Sequence, residues 1–168
     1  MKRFLFLSVA LIATIGVALA YADPHRVQAA RHMLTSLVSD SSQLRLVEIV
    51  RGRNGDFAMR AQINGAKAPM VLDTGATSVI LTYESAKAAG LPTELLNYTV
   101  VIETANGTTQ AAAVVLDQLA IGKLVEKSVP ALVVPRGKMK VSLLGMSFLD
   151  RLHSWEVQGD RIKLRGYP

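Results

Sequence analysis

From Leu44 onward the chain alternates short apolar runs with turn-forming pairs, a spacing that predicts strands rather than long helices. Leu44 to Gly52 alternates in part, and Asn54-Gly55 marks a turn. Phe57 to Ile63 continues as a strand, and Asn64-Gly65 turns the chain again. Pro69 to Leu72 reads as a buried strand running into Asp73, with a second apolar run from Ser78 to Leu81. Tyr83 to Ala89 is a short helix stopped by Gly90 and Pro92. Tyr98 to Glu103 and Thr108 to Leu116 flank Asn106-Gly107, a strong hairpin signal. Leu119 to Ile121, Ser128 to Val134 and Trp155 to Leu164, turning at Gly159-Asp160, add further strands, and Met146 to Leu152 one more short helix. Long helices do not alternate with strands, so the fold class is all-β and a nucleotide-binding parallel sheet is not expected.

The first 43 residues have a different texture. Lys2 and Arg3 precede an uncharged segment from Phe4 to Ala22, which ends Ala20-Tyr21-Ala22 before Asp23. A basic start, an apolar middle and an A-x-A-like end make residues 1–22 a signal peptide. The same segment is nearly long enough, at about 1.5 Å per residue, to cross a bilayer of roughly 30 Å as an apolar helix. Cleaved signal and membrane anchor are both open. Either exports the remainder, placing it in the cell envelope: anchored in the inner membrane with its domain in the periplasm, or secreted to the periplasm after cleavage. Residues 23–43 form a spacer with a loose helical stretch and a polar run, Ser39-Asp40-Ser41-Ser42. His25 and His32 lie in it, and two histidines without supporting carboxylates do not make a metal site. The domain proper is 44–168, a size that one core can serve.

Composition removes several chemistries. There is no cysteine, hence no disulfide framework, thiolate zinc site or cysteine nucleophile. The formal charge of +6 comes from scattered basic residues, Arg51, Arg53, Arg60, Lys138 and Lys140 among them. They read as a solvated surface with a weak attraction to anionic lipid. Base-stacking aromatics do not interleave with them, which argues against nucleic acid as a partner. No phosphate-binding glycine loop occurs.

One stretch carries candidate chemistry. In Val71-Leu72-Asp73-Thr74-Gly75-Ala76-Thr77-Ser78-Val79-Ile80-Leu81 a single acid stands between two apolar runs. Asp followed by Thr-Gly often does no more than turn the chain. Here the flanking runs clamp the loop, and a carboxylate held there needs partners or a proton. Gly75 lets another backbone approach, Ala76 keeps the space small, and Thr74 and Thr77 bring hydroxyl donors. One carboxylate cannot act as both acid and base on a peptide bond. Two sharing a proton can, one deprotonating water while the other protonates the carbonyl oxygen. Asp-Thr-Gly occurs once and Asp-Ser-Gly not at all. By this chemistry the second acid comes from a second copy of the chain, and a homodimer is the simplest arrangement.

Val71 to Ala76 resembles the active-site loop of retroviral-type aspartic proteases, the retropepsin-like family. Leu143-Leu144-Gly145 resembles that family's second signature, two hydrophobic residues and a glycine packed behind the loop. The hairpin at Ala105-Asn106-Gly107-Thr108 falls between the two, where the family places its flap. The order of NG turns, DTGA, TANG and LLGMSFL is similar to that of bacterial members anchored by their N-terminus. The resemblance covers about residues 44 to 165 and implies a single-lobe acid-protease β-barrel with one or two short helices. Asp73 would be the catalytic acid/base, one per subunit. Thr74 would bond across the dimer, Gly75 would lie near the substrate backbone, and Ala76 and Thr77 would line or support the loop. Thr104, Ala105, Asn106, Gly107 and Thr108 would close over a bound peptide. Leu143, Leu144 and Gly145 would support the loop. The implied activity is cofactor-free and metal-free hydrolysis of peptide bonds in protein or peptide substrates.

Two other readings stay open: a catalytically silent peptide-binding or dimerisation module of the same fold, and a structural envelope protein in which Asp73 caps a turn. His153 and Ser154, next to Trp155, lack the sharp nucleophile turn of a serine hydrolase, and Ser147 lacks a second glycine. Glu103, Asp117 and Asp150 are isolated acids. Met139 and Met146 read as packing residues.

Overall fold

The computed structural model describes residues 45–104 and 107–167, together with Gln28. The signal or anchor segment, most of the spacer with His25 and His32, and Ala105 and Asn106 of the flap lie outside these residues. Among the described residues no helix is long and apolar enough to cross a membrane.

Within the compact unit Leu44–Pro168 the elements follow as β1 (Leu46–Val50), β2 (Phe57–Ile63), β3 (Ala66–Leu72), β4 (Val79–Leu81), α1 (Tyr83–Ala88), β5 (Val100–Thr104), β6 (Gly107–Ile121), β7 (Leu124–Val133), β8 (Ser142–Leu144), α2 (Met146–Leu149), β9 (Ser154–Gln158) and β10 (Arg161–Arg165). The larger sheet runs β2-β3-β8-β4-β7-β6-β5, and β2 also pairs with β6 through Gln62↔Ala120 and Ile63↔Leu119. That extra pairing closes the sheet into a barrel and leaves β5 outside as the free arm of a hairpin. Closure removes the unpaired edges an open sheet would present. A separate antiparallel sheet, β1-β10-β9, shares the core. Its Ile49, Ile162 and Leu164 join Ile63, Leu119, Leu124, Leu144 and Phe148 in one buried cluster.

The turn pairs act as their residue types dictate. Asn64 and Gly65 both take positive φ, 49° and 87°, the combination a two-residue hairpin turn needs to match strand twist. Helix α1 starts at Thr82, whose hydroxyl accepts from the Ser85 N–H at 3.1 Å. It ends with Leu91 N–H donating to Ala86 O and Gly90 N–H to Lys87 O, both at 3.0 Å.

Two expected strands, Thr108–Leu116 and Leu119–Ile121, are one continuous strand of 15 residues. The cause is a change of inward face. Val114 and Leu116 pack into the main core at even positions, whereas Leu119 and Ile121 do so at odd ones. The partner strand switches likewise between Leu124 and Val129, at Ser128 with φ 51°. A broken alternation reads as a broken strand, although the ladder runs through. For the same reason β7 begins at Leu124 rather than at Ser128. Helix α2 stops at Leu149 instead of Leu152. His153 is exposed just before β9.

A small ion-pair network holds the corner after α1. Glu94 accepts from Lys87 Nζ at 2.9 Å, Tyr83 OH at 2.8 Å and Thr93 Oγ1 at 3.0 Å. The hydrogen bonds from Lys87 and then Tyr83 lower the Glu94 pKa to about 2, from an ordinary 4.5. Hydrogen bonding to Glu94, then its charge, raises that of Lys87 above 10.5. A depressed carboxylate pKa contributes stability above the unfolded value, lost as pH falls through the folded one. A raised lysine pKa contributes below 10.5. The pair therefore supports this corner from about pH 4.5 to 10.5. Glu94→Gln is expected to lower Tm slightly at pH 7. The difference should shrink with added salt and disappear as the pH is lowered from 4.5 toward 2. Thermal scans of both proteins across that range check it. A difference that persists at the acid end would mean that Glu94 acts through packing instead.

Candidate active site

The loop carrying Asp73 leaves at the end of β3 and returns as β4. Strand β8 is wedged between these two, parallel to β3 with Leu72↔Leu144 and antiparallel to β4 with Ile80↔Leu143. The Asp73 N–H donates to Leu144 O at 3.1 Å, extending the β3–β8 ladder by one step. The backbone of the acid is therefore fixed by the barrel wall.

Behind the loop runs Gly145. A Cβ at this position would lie 2.1 Å from Ser78 O and 2.6 Å from Ala76 O. Its φ of −95° suits any residue, so the position needs glycine for space. The first N–H groups of α2 have no partners within the helix and turn to the loop instead. Met146 N–H donates to Ala76 O at 2.8 Å and Ser147 N–H to Thr77 O at 3.0 Å. The Ser147 hydroxyl accepts from Val79 N–H at 2.9 Å and donates to Pro130 O at 3.0 Å, tying loop, β4 and β7 together. One layer deeper, the buried Ser142 hydroxyl accepts from Thr82 N–H at 3.1 Å and donates to Ser85 Oγ at 3.0 Å, linking β8 to the start of α1.

The Asp73 side chain is half-buried. Its Oδ1 accepts from Gly75 N–H at 2.8 Å, and no other donor reaches the carboxylate among the described residues. One oxygen is thus held from the loop, and the group faces a cleft of about 1100 Å³. Gly75, Ala76 and Thr77 line the cleft with Asp73, while Thr74 stands exposed and does not. Thr104 lines it from β5, and its hydroxyl donates to Gly107 O at 2.7 Å across the hairpin end. Gly107 and Thr108 are exposed on the opposite strand and do not line it. Leu143 lines the cleft, whereas Leu144 and Gly145 are buried behind it.

The sequence reading missed several contributors. Ser142 and Ser147 are unremarkable by type, and only their spatial neighbours mark them. Ile80 and Leu132 line the cleft from strands that read simply as core. The segment 137–141 forms one wall, with Lys138, Met139 and Lys140 in the lining. Its signal was present as Arg136-Gly137-Lys138-Met139-Lys140, a basic run around a glycine that breaks the strand pattern.

Comparison with known proteins agrees with this geometry. Residues 59–148 match the family described as aspartyl protease. An uncharacterized protein from the region 5′ of cobV in a Sinorhizobium species is 38% identical over 130 residues, 77% of this chain. The chain spans 56% of that protein's length. An uncharacterized protein of Rickettsia prowazekii (strain Madrid E) is 32% identical over 168 residues, covering 97% of this chain and 72% of the relative. The crystal structure of a retropepsin-like aspartic protease from Rickettsia conorii superposes with a TM-score of 0.66 at 35% identity, over 72% of this chain and 90% of that one. The family match, residues 59–148, runs from within β2 to within α2 and so takes in the Asp73 loop, the hairpin and the strand behind the loop. The chain thus belongs to the aspartyl protease family, in its retropepsin-like form.

Proposed function

We propose that the chain is an aspartic endopeptidase acting as a homodimer, in which Asp73 and the same residue of a second copy form the catalytic pair. The observation that carries this reading is a single carboxylate, rigidly backed and open to a cleft, in a chain with one Asp-Thr-Gly. The pair shares one proton. The ionised member takes a proton from water as the water oxygen bonds to the peptide carbonyl carbon. The protonated member gives its proton to the carbonyl oxygen. Collapse of the tetrahedral intermediate breaks the C–N bond, and the nitrogen leaves with a proton from the carboxyl pair. No cofactor or metal enters these steps. The β5–β6 hairpin closes over the bound peptide and keeps bulk water out. Thr74, exposed at the loop tip, bonds to the second copy. The uncharged segment Phe4–Ala22 behind Lys2 and Arg3 supports export to the cell envelope, with the protease domain in the periplasm, anchored or released.

An unbiased peptide library, digested over a range of pH and protein concentrations, tests the proposal. Cleavage is expected to be fastest at acid to mildly acid pH, where the pair keeps its proton. Its rate should rise with the square of protein concentration in the dilute range, before the dimer saturates. Folded protein that cleaves nothing would favour a silent peptide-binding module, and full activity in a monomer would remove the shared pair.

A further inference from the structure

We infer that the 137–141 wall of the cleft selects substrates by charge: peptides with an acidic side chain flanking the scissile bond, the acid held by Lys138 and Lys140. The inference rests on the protease reading and names the substrate class for that same cleft.

The wall is seated on the satellite cluster around Ile80, Ala111 and Val134. Leu132, Met139 and Leu143 pack against it, and these three, with Ile80, also line the cleft beside Asp73. An apolar side chain entering next to the carboxylate meets an apolar surface built by β4, β7, β8 and the 137–141 segment.

The preference for an acid comes from how the wall is fixed. Lys138 N–H closes a turn on Pro135 O at 3.2 Å. The Arg136 guanidinium stacks over the Tyr83 ring at 4.6 Å, pinning one end of the segment to α1. Met139 is half-buried in the apolar cluster between the two lysines. The segment is thus seated at both points, and Lys138 and Lys140 are left exposed along the lining. Among the described residues neither lysine has an ion pair or side-chain hydrogen bond, unlike Lys87, Arg151, Arg161 and Arg165. The remaining charges of the lining are carboxylates: Asp73 on the floor and Glu103 on the hairpin. Charge in the cleft is sorted by place, with acids on floor and hairpin and ammonium groups on the loop. An acidic substrate side chain is repelled from the first two and drawn to the third, and a concave wall strengthens the field it feels.

The test measures binding, so that it stands apart from turnover. Full-length Asp73→Asn is titrated, by fluorescence anisotropy, into labelled peptide pairs that share an apolar centre and differ only by Glu or Gln at flanking positions. The Glu peptide is expected to bind roughly threefold to fivefold tighter at low salt, with the preference shrinking at about 0.5 M salt. Lys138→Gln with Lys140→Gln should abolish it, and Lys138→Glu with Lys140→Glu should turn it toward a Lys peptide. Lys123→Gln, on the distant β6–β7 turn, should retain it. Equal binding of Glu and Gln peptides, no binding of any, or a preference surviving in the double Gln variant overturns the inference. The Glu preference without cleavage by the unmutated chain would sink the protease reading and leave charge selection standing.

Discussion

Asp73→Asn is expected to lower peptide-bond hydrolysis by roughly 10³-fold or more while leaving the fold and its melting temperature nearly unchanged. The two halves of this expectation have separate grounds. The amide oxygen of Asn can still accept the Gly75 N–H that now bonds to Oδ1 at 2.8 Å. The half-buried position tolerates a neutral isostere, and the backbone bond from Asp73 N–H to Leu144 O does not involve the side chain. What is lost is the ability to take a proton from water, which an amide cannot do at any working pH. In the proposed dimer both copies lose it together. Parallel measurement of cleavage rate and thermal unfolding decides the matter. Wild-type turnover by the variant would remove Asp73 from catalysis. Lost turnover with a collapsed melting temperature would make the carboxylate a structural cap on its turn.

The second large effect lies behind the loop. Gly145→Ala is expected to destabilise the domain by about 4 kcal/mol or more, lowering Tm by more than about 10 °C, and to abolish hydrolysis in whatever protein remains folded. The added methyl would sit 2.1 Å from Ser78 O and 2.6 Å from Ala76 O. Both obstacles are backbone, and neither can rotate aside as a side chain would. Ala76 O is also tied, accepting from Met146 N–H, and the intervening Thr77 O accepts from Ser147 N–H. Relief requires either pushing the Asp73 loop into the cleft or pulling β8 from between β3 and β4. The first displaces the carboxylate, and the second breaks the barrel wall. Differential scanning calorimetry beside a cleavage assay reads both consequences. An alanine variant with native stability and native activity would contradict the close packing described here.

Much of the architecture was legible because it depends on neighbours in sequence. The Asn64-Gly65 turn, the short helix α1 stopped by Gly90, and the β5–β6 hairpin follow from residues whose preferred backbone angles differ from their neighbours'. The Asp73 loop was legible because an acid between two apolar runs violates the local pattern. Strand β6 was misread where its inward face switches, since periodicity carries no record of a ladder that continues through a change of phase. Strand β8 was missed as a strand because 3 residues are too few to show a period. Its place between β3 and β4 depends on pairings more than sixty residues apart along the chain.

The sequence by itself determined the all-β class, the single carboxylate and its glycine, and the turns on either side, because each rests on interactions within a few residues. Tertiary structure alone decided which atoms hold that carboxylate in place and what faces it. Gly145 is required by backbone of the Asp73 loop, Ser147 by a carbonyl on β7 and an amide on β4, and Lys138 and Lys140 by the cleft they border. Hydrogen bonds and steric exclusion act over a few ångströms of space whatever the separation along the chain. One sequence read alone records the residues at these positions but not the neighbours that folding brings to them.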